Sequence, residues 1–219
     1  MQKQKISKLV FLILAIVLIL ALILLIVGEK KDRTKNFYNK IIKANEYTFL
    51  IEGANSNNKN QCIISKSEEK RSLDVISDSE HTQTIVIDGY AYFIMHNAQE
   101  YYVLENSTET GEEKNIEADI LESNLKEISE KKYKTGKEKV YGKTYYFEEF
   151  EDANSFLMVN NALNEESKYS TKIYYEGNNI KYIKTTISGD EEFEELLKIE
   201  CNYSADQKNF EVPSTYAER

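Results

Sequence analysis

Thr84-Ile-Val-Ile-Asp-Gly-Tyr-Ala-Tyr-Phe-Ile-Met-His-Asn-Ala-Gln-Glu-Tyr-Tyr-Val-Leu104 is the stretch on which the fold turns. Asp88-Gly89 between two runs of β-branched and aromatic residues is a two-residue hairpin signal, because a type I′ turn needs positive φ at both central positions. That turn sets Ile87 opposite Tyr90 and Ile85 opposite Tyr92. A second turn at Asn97-Ala98 sets Ile94 opposite Tyr101 and Tyr92 opposite Val103. Side chains alternate along a strand, so one face carries Ile85, Ile87, Tyr90, Tyr92, Ile94, Tyr101 and Val103. The other carries Thr84, Val86, Ala91, Phe93, Tyr102 and Leu104. A sheet with one wet face alternates apolar with polar residues. Here both faces are apolar, and both must be covered.

Working outward, short strands are expected at Tyr47 to Gly53, Gln61 to Lys66, Arg71 to Ser77, Thr82 to Asp88, Tyr90 to His96 and Glu100 to Leu104, an antiparallel meander. They resume at Tyr133 to Val140, Thr144 to Phe150, Thr171 to Tyr175, Ile180 to Ser188 and Leu197 to Tyr203. The stretch 154–163 reads equally as helix or strand. Two amphipathic helices are expected. The first starts at Thr34 as N-cap and places Phe37, Tyr38, Ile41 and Ile42 on one stripe. The second, Glu117 to Ser129, gathers Ile120, Leu121, Leu125 and Ile128 on one side. These helices can cover one face of the sheet. The other cover is either the sheet's own far half, through Tyr145, Phe147, Ile173, Tyr175, Ile183 and Ile187, which closes the core, or a foreign apolar group.

Leu9 to Val27 is nineteen residues without a charged, amide or hydroxyl side chain, enough at about 1.5 Å per residue to span a hydrocarbon core of roughly 30 Å. The expectation is an uncleaved transmembrane helix over 9–28, with Leu9, Leu18 and Val27 in the anchor. A basic leader, 1–8, precedes it, and a juxtamembrane helix, 29–46, and a β-domain, 47–216, follow it. No small-residue cleavage site ends the run. The leader's Lys3, Lys5 and Lys8 favour a cytoplasmic N-terminus and an extracytoplasmic domain, making this a single-pass, signal-anchor protein of the cell membrane with the lipid bilayer as a partner. Of the 28 basic side chains those three precede residue 29, so the rest of the chain sets the other 25 against all 37 acids. That acidic balance excludes a nucleic-acid partner held by counterion release. Cys62 and Cys201 either pair or remain buried thiols.

Motifs for catalysis are discounted. His81 and His96 lie at no metal-ligand spacing, so neither a metal nor another cofactor is expected. Ser67-Glu-Glu-Lys70, Ser123-Asn-Leu-Lys126 and Ser129-Glu-Lys-Lys132 fit S-x-x-K, and Lys134-Thr135-Gly136 fits K-T-G. S-D-N is missing, and the strand-rich context is wrong for a serine at a helix start. No phosphate-binding glycine loop is present. The carboxylates of Glu191-Glu192 and Glu194-Glu195 read as a solvated face. Asn106-Ser-Thr and Asn202-Tyr-Ser fit the glycosylation sequon, which matters in a source that glycosylates.

Ile-Val-Ile-Asp-Gly-Tyr-Ala-Tyr (85 to 92), Tyr-Tyr-Val-Leu (101 to 104), Tyr-Tyr-Glu-Gly-Asn-Asn-Ile-Lys-Tyr-Ile-Lys (174 to 184) and the ending Phe-Glu-Val-Pro-Ser-Thr-Tyr (210 to 216) follow an amphipathic helix. In this arrangement the chain resembles the LolA/LppX-like lipoprotein-carrier superfamily of half-barrel envelope domains. The resemblance implies a lipid or acyl chain carried in an apolar cavity, or a sensor role. The expected fold class is therefore α+β: an N-terminal transmembrane helix, then a strongly curved antiparallel β-sheet (an incomplete barrel) with two helices on one side. The expected role is non-catalytic binding of a lipid or other apolar ligand, or a partner segment, in a groove lined by Val86, Ala91, Phe93, Tyr102 and Leu104. The alternative is an envelope sensor or protein-interaction domain with a closed core and no cavity.

Overall fold

In the computed structural model, residues 32–54, 60–105, 117–151, 168–188 and 193–219 are described. The chain divides into two compact units, Met1–Asp32 and Arg33–Arg219, and the described fold is that of the second. Helix α1 (Arg33–Lys43) leads into β1 (Glu46–Gly53), β2 (Gln61–Ser67), β3 (Lys70–Ile76), β4 (His81–Ile87), β5 (Tyr90–Met95) and β6 (Glu100–Glu105). Helix α2 (Glu117–Glu130) follows. Then come β7 (Tyr133–Val140), β8 (Lys143–Glu151), β9 (Lys168–Glu176), β10 (Asn179–Ser188), β11 (Phe193–Asn202), a 3₁₀ turn (Gln207–Phe210) and β12 (Ala217–Glu218). All twelve strands join one sheet in the order β12-β6-β5-β4-β3-β2-β1-β11-β10-β9-β8-β7. It consists of two meanders, β1 to β6 and β7 to β11, stitched by the antiparallel pair β1 and β11, with β12 adding a short parallel edge to β6.

The register follows from the turns. Asp88 and Gly89 have φ of 54° and 78°, as a type I′ turn demands, and Ile87 faces Tyr90 while Ile85 faces Tyr92. The turn expected at Asn97-Ala98 widens into a loop from His96 to Gln99, where Gln99 takes φ 57°. Its centre is unmoved, so Ile94 still faces Tyr101 and Tyr92 faces Val103.

Both helices pack on one face of the sheet. Phe37 and Ile41 of α1 and Leu121, Leu125 and Ile128 of α2 share a buried core with Tyr47, Phe49, Ile51, Ile64, Leu73, Phe150, Ile173, Tyr175, Ile183 and Ile199. Ile42, expected on the same stripe, is exposed instead. Thr34 is not the N-cap, because α1 already begins at Arg33. The buried Glu148 carboxylate of β8 takes that role: it accepts from the Arg33 and Thr34 backbone N–H groups at 2.8 and 3.0 Å and from the Thr34 hydroxyl at 2.7 Å. An anion here satisfies donors that a helix start leaves unpaired and meets the positive end of its dipole.

The opposite, outer face is covered by the C-terminal segment. Phe210 is buried against Ile85 and Ile94, with Ala205, Val212 and Tyr216 packed around Ile87, Tyr92 and Tyr101. The far half of the sheet does not supply this cover. Ile173, Tyr175 and Ile183 face the helices, while Tyr145 and Phe147 join Tyr174 and Tyr182 on the other side. Cys62 and Cys201 form no disulfide. They sit on strands either side of β1, opposite Ile51 and Phe49, and two strand spacings of about 4.8 Å exceed the reach of a disulfide. Burial pushes the Cys201 thiol up to about 11.

The expected α+β class led by a transmembrane helix is corrected to a mainly-β fold: twelve strands with two α-helices, of 11 and 14 residues, among the described residues. None of the described helices is long and apolar enough to cross a membrane, which takes about 20 apolar residues. The single-pass, signal-anchor placement at the cell membrane is corrected with it, since no described helix supplies the span. The segment 9–28, with Leu9, Leu18 and Val27, lies outside the described residues, as does 154–163.

Candidate functional site

Cross-strand pairing assembles a continuous row on the helix side: Phe49 faces Ile64, Ile64 faces Leu73, Leu73 faces Thr84, Thr84 faces Phe93 and Phe93 faces Tyr102. A second row runs Arg71, Val86, Ala91, Leu104. The five expected groove residues therefore do share one face, the one on which the helices sit. The helices cover the row at Phe49, Ile64 and Leu73, all under a tenth exposed, whereas Tyr102 and Leu104 are 40% and 41% exposed. Ala91 is buried, and Val86 and Phe93 are half-buried. The Phe93 and Tyr102 rings stack with centroids 4.9 Å apart and planes 12° from parallel, an offset aromatic pair of the kind that rigid apolar surfaces present.

Where β1, β2, β3 and β11 end, a cleft of about 580 Å³ opens, walled by Ile51, Val75, Ile76, Phe193, Leu196 and Leu197 together with Cys62. Its polar lining includes Gln61, Ser77, Glu194 and Glu195. Burial raises the Glu195 carboxyl above its ordinary value, since an apolar wall disfavours the charged form. These cleft residues were not among those expected from the sequence. They come from strands far apart in the chain, and the β1–β11 pairing that brings them together leaves no local signal.

Asp74, His81 and His96 form a polar cluster on the outer face, their ligand-type atoms all within 4.8 Å of one another. Sequence spacing hides it, because the two histidines meet only through the β4–β5 pairing. Of the S-x-x-K and K-T-G matches, Gly136 lies in β7 beneath the Phe147 ring, and the Ser129 hydroxyl donates to the Lys126 carbonyl within α2.

No family model matches the chain, and no curated protein matches it. Among solved structures it is similar to an uncharacterized conserved protein from Thermus thermophilus, at 4% identity over 86% of this chain and 96% of that one, with a TM-score of 0.44.

Proposed function

We propose that this domain binds an apolar small molecule of the acyl-chain class on the helix side of its sheet and carries out no chemistry on it. The observation behind this reading is that the core's own cross-strand row runs past the helices and ends uncovered at Tyr102, with Leu104 of the neighbouring row exposed beside it, among the described residues. A cleft of about 580 Å³ where β1, β2, β3 and β11 end lies within the roughly 300–1,000 Å³ range of ligand sites, which are apolar with a few polar groups. The resemblance of the hairpin pattern to the lipoprotein-carrier superfamily supports the same ligand class.

The test is chemical. The full chain is purified, extracted with organic solvent and assayed for co-purifying acyl lipids by mass spectrometry, and its melting temperature is followed as a fatty acid is added. Bound lipid and a rising melting temperature are expected, since a ligand that binds only the native state stabilises it. Phe93→Asp and Leu104→Asp should leave the fold standing and remove the lipid. A clean extract with an unchanged melting temperature, or an unfolded Phe93→Asp, would point instead to a sealed core serving protein contacts.

A further inference from the structure

The chain has two histidines, and the fold stacks one on the other. His81 opens β4, and His96 follows the last residue of β5. The His96 N–H donates to the His81 carbonyl at 3.0 Å, and the imidazole rings lie 3.9 Å apart at 21°. Asp74 of β3 reaches the same place, its Oδ1 2.8 Å from His81 Nε2. On His96, Nδ1 is 3.0 Å from the Tyr216 hydroxyl and Nε2 is 3.2 Å from Gln83 Oε1. Gln83 is held in turn, its amide donating to Ser72 Oγ at 3.1 Å and to the Asn209 carbonyl at 3.0 Å.

We propose that Asp74, His81 and His96 form a binding site for a divalent transition cation of the zinc type, presented by three neighbouring strands on the outer face of the sheet. Two imidazoles and one carboxylate suit zinc, nickel or copper, whereas calcium and magnesium want oxygen donors. Donors about 2.1 Å from an ion lie roughly 3.0–3.4 Å from each other at right-angle or tetrahedral geometry. The His81–Asp74 pair therefore has only a few tenths of an ångström to open. The ion takes the place of the proton between Nε2 and Oδ1, and that proton moves to His81 Nδ1 by tautomer exchange. His96 ligates through Nε2, giving up its bond to Gln83 Oε1; the Nε2 proton moves to Nδ1 by tautomer exchange, and Nδ1–H then donates to Tyr216, the outer bond that fixes ring and tautomer in histidine sites. Tyr216 belongs to the segment that covers Ile85 and Ile94, so the ion clamps that cover to the sheet.

The experiment uses the full chain after chelation, with Zn²⁺ as the probe and the two imidazole Cε1–H proton signals as the readout. Both signals should shift together and saturate at a single equivalent, while Mg²⁺ and Ca²⁺ leave them in place. Asp74→Asn should weaken binding tenfold or more, and Tyr216→Phe should weaken it by roughly tenfold, as outer-shell losses do. Imidazole signals that stay still in excess Zn²⁺ overturn the proposal without recourse to a variant. So does an unchanged binding midpoint in Asp74→Asn and His81→Gln, which would assign the metal to scattered surface acids or thiols.

Discussion

Glu148 shows how much one side chain can fix. It is fully buried, yet its carboxylate is surrounded by donors. The Thr34 hydroxyl spends its one proton on Glu148 Oε2, so the Tyr175 hydroxyl 2.6 Å away must donate to Thr34 Oγ1. Burial, and then the Glu148 charge, hold the Tyr175 phenol well above its ordinary pKa, which keeps that proton in place. Arg33 completes the arrangement: its guanidinium lies 4.1 Å from the centre of the Tyr146 ring and donates to the Gly177 carbonyl at 2.7 Å. Glu148→Ala should cost about 2–4 kcal/mol, because it leaves two backbone N–H groups and a hydroxyl buried without an acceptor. Glu148→Gln should cost less, since it keeps one acceptor oxygen. Urea unfolding of both variants, read as a shift in midpoint at constant slope, checks the order.

At the scale of elements, the strands were legible wherever a turn residue sat beside an alternating run. The sequence predicts a strand from Tyr133 to Val140, and β7 has those same ends; the β4–β5–β6 register follows from Asp88-Gly89 and Asn97-Ala98. The caps were not legible, because Glu148 lies 114 residues from Thr34 and nothing near either marks the bond. Edge strand β7 carries Lys134, Lys137 and Lys139, charges that discourage pairing with another chain. Its one weak point is Gly136, which faces Phe147 of β8. A Cβ at Gly136 would lie 2.5 Å from the tip of the Phe147 ring, so the ring occupies the space that a side chain would take. Gly136→Ala should therefore destabilise by about 1–3 kcal/mol through overpacking, although alanine loses less entropy than glycine on joining a strand. Phe147→Ala should cancel most of that clash. A double-mutant cycle that found the two changes additive would remove the close contact as the cause.

Across the whole molecule, the alternation in 84–104 makes the central hairpins apolar on both sides, but nothing in that stretch tells what covers the outer side. The packing of 210–216 depends on contacts more than a hundred residues away that no local period encodes. Phe210 is 4% exposed against Ile85 and Ile94, Gln83 donates to the Asn209 carbonyl, and Asn209 donates to Ser65 Oγ at 2.8 Å. Asp206 and Glu211 frame the 3₁₀ turn, and Asp206 caps its start by accepting from the Lys208 N–H at 3.0 Å. The segment is thus fastened by polar bonds on β2 and β4 and by one large apolar plug. Phe210→Ala should cost about 3–5 kcal/mol, the usual range for a buried phenylalanine. Because the plug seals an apolar face, the variant should also bind a hydrophobic dye such as ANS before it unfolds. Loss of stability without dye binding would mean that Ile85 and Ile94 stay covered, and that Phe210 matters for the turn it ends rather than for the face it closes.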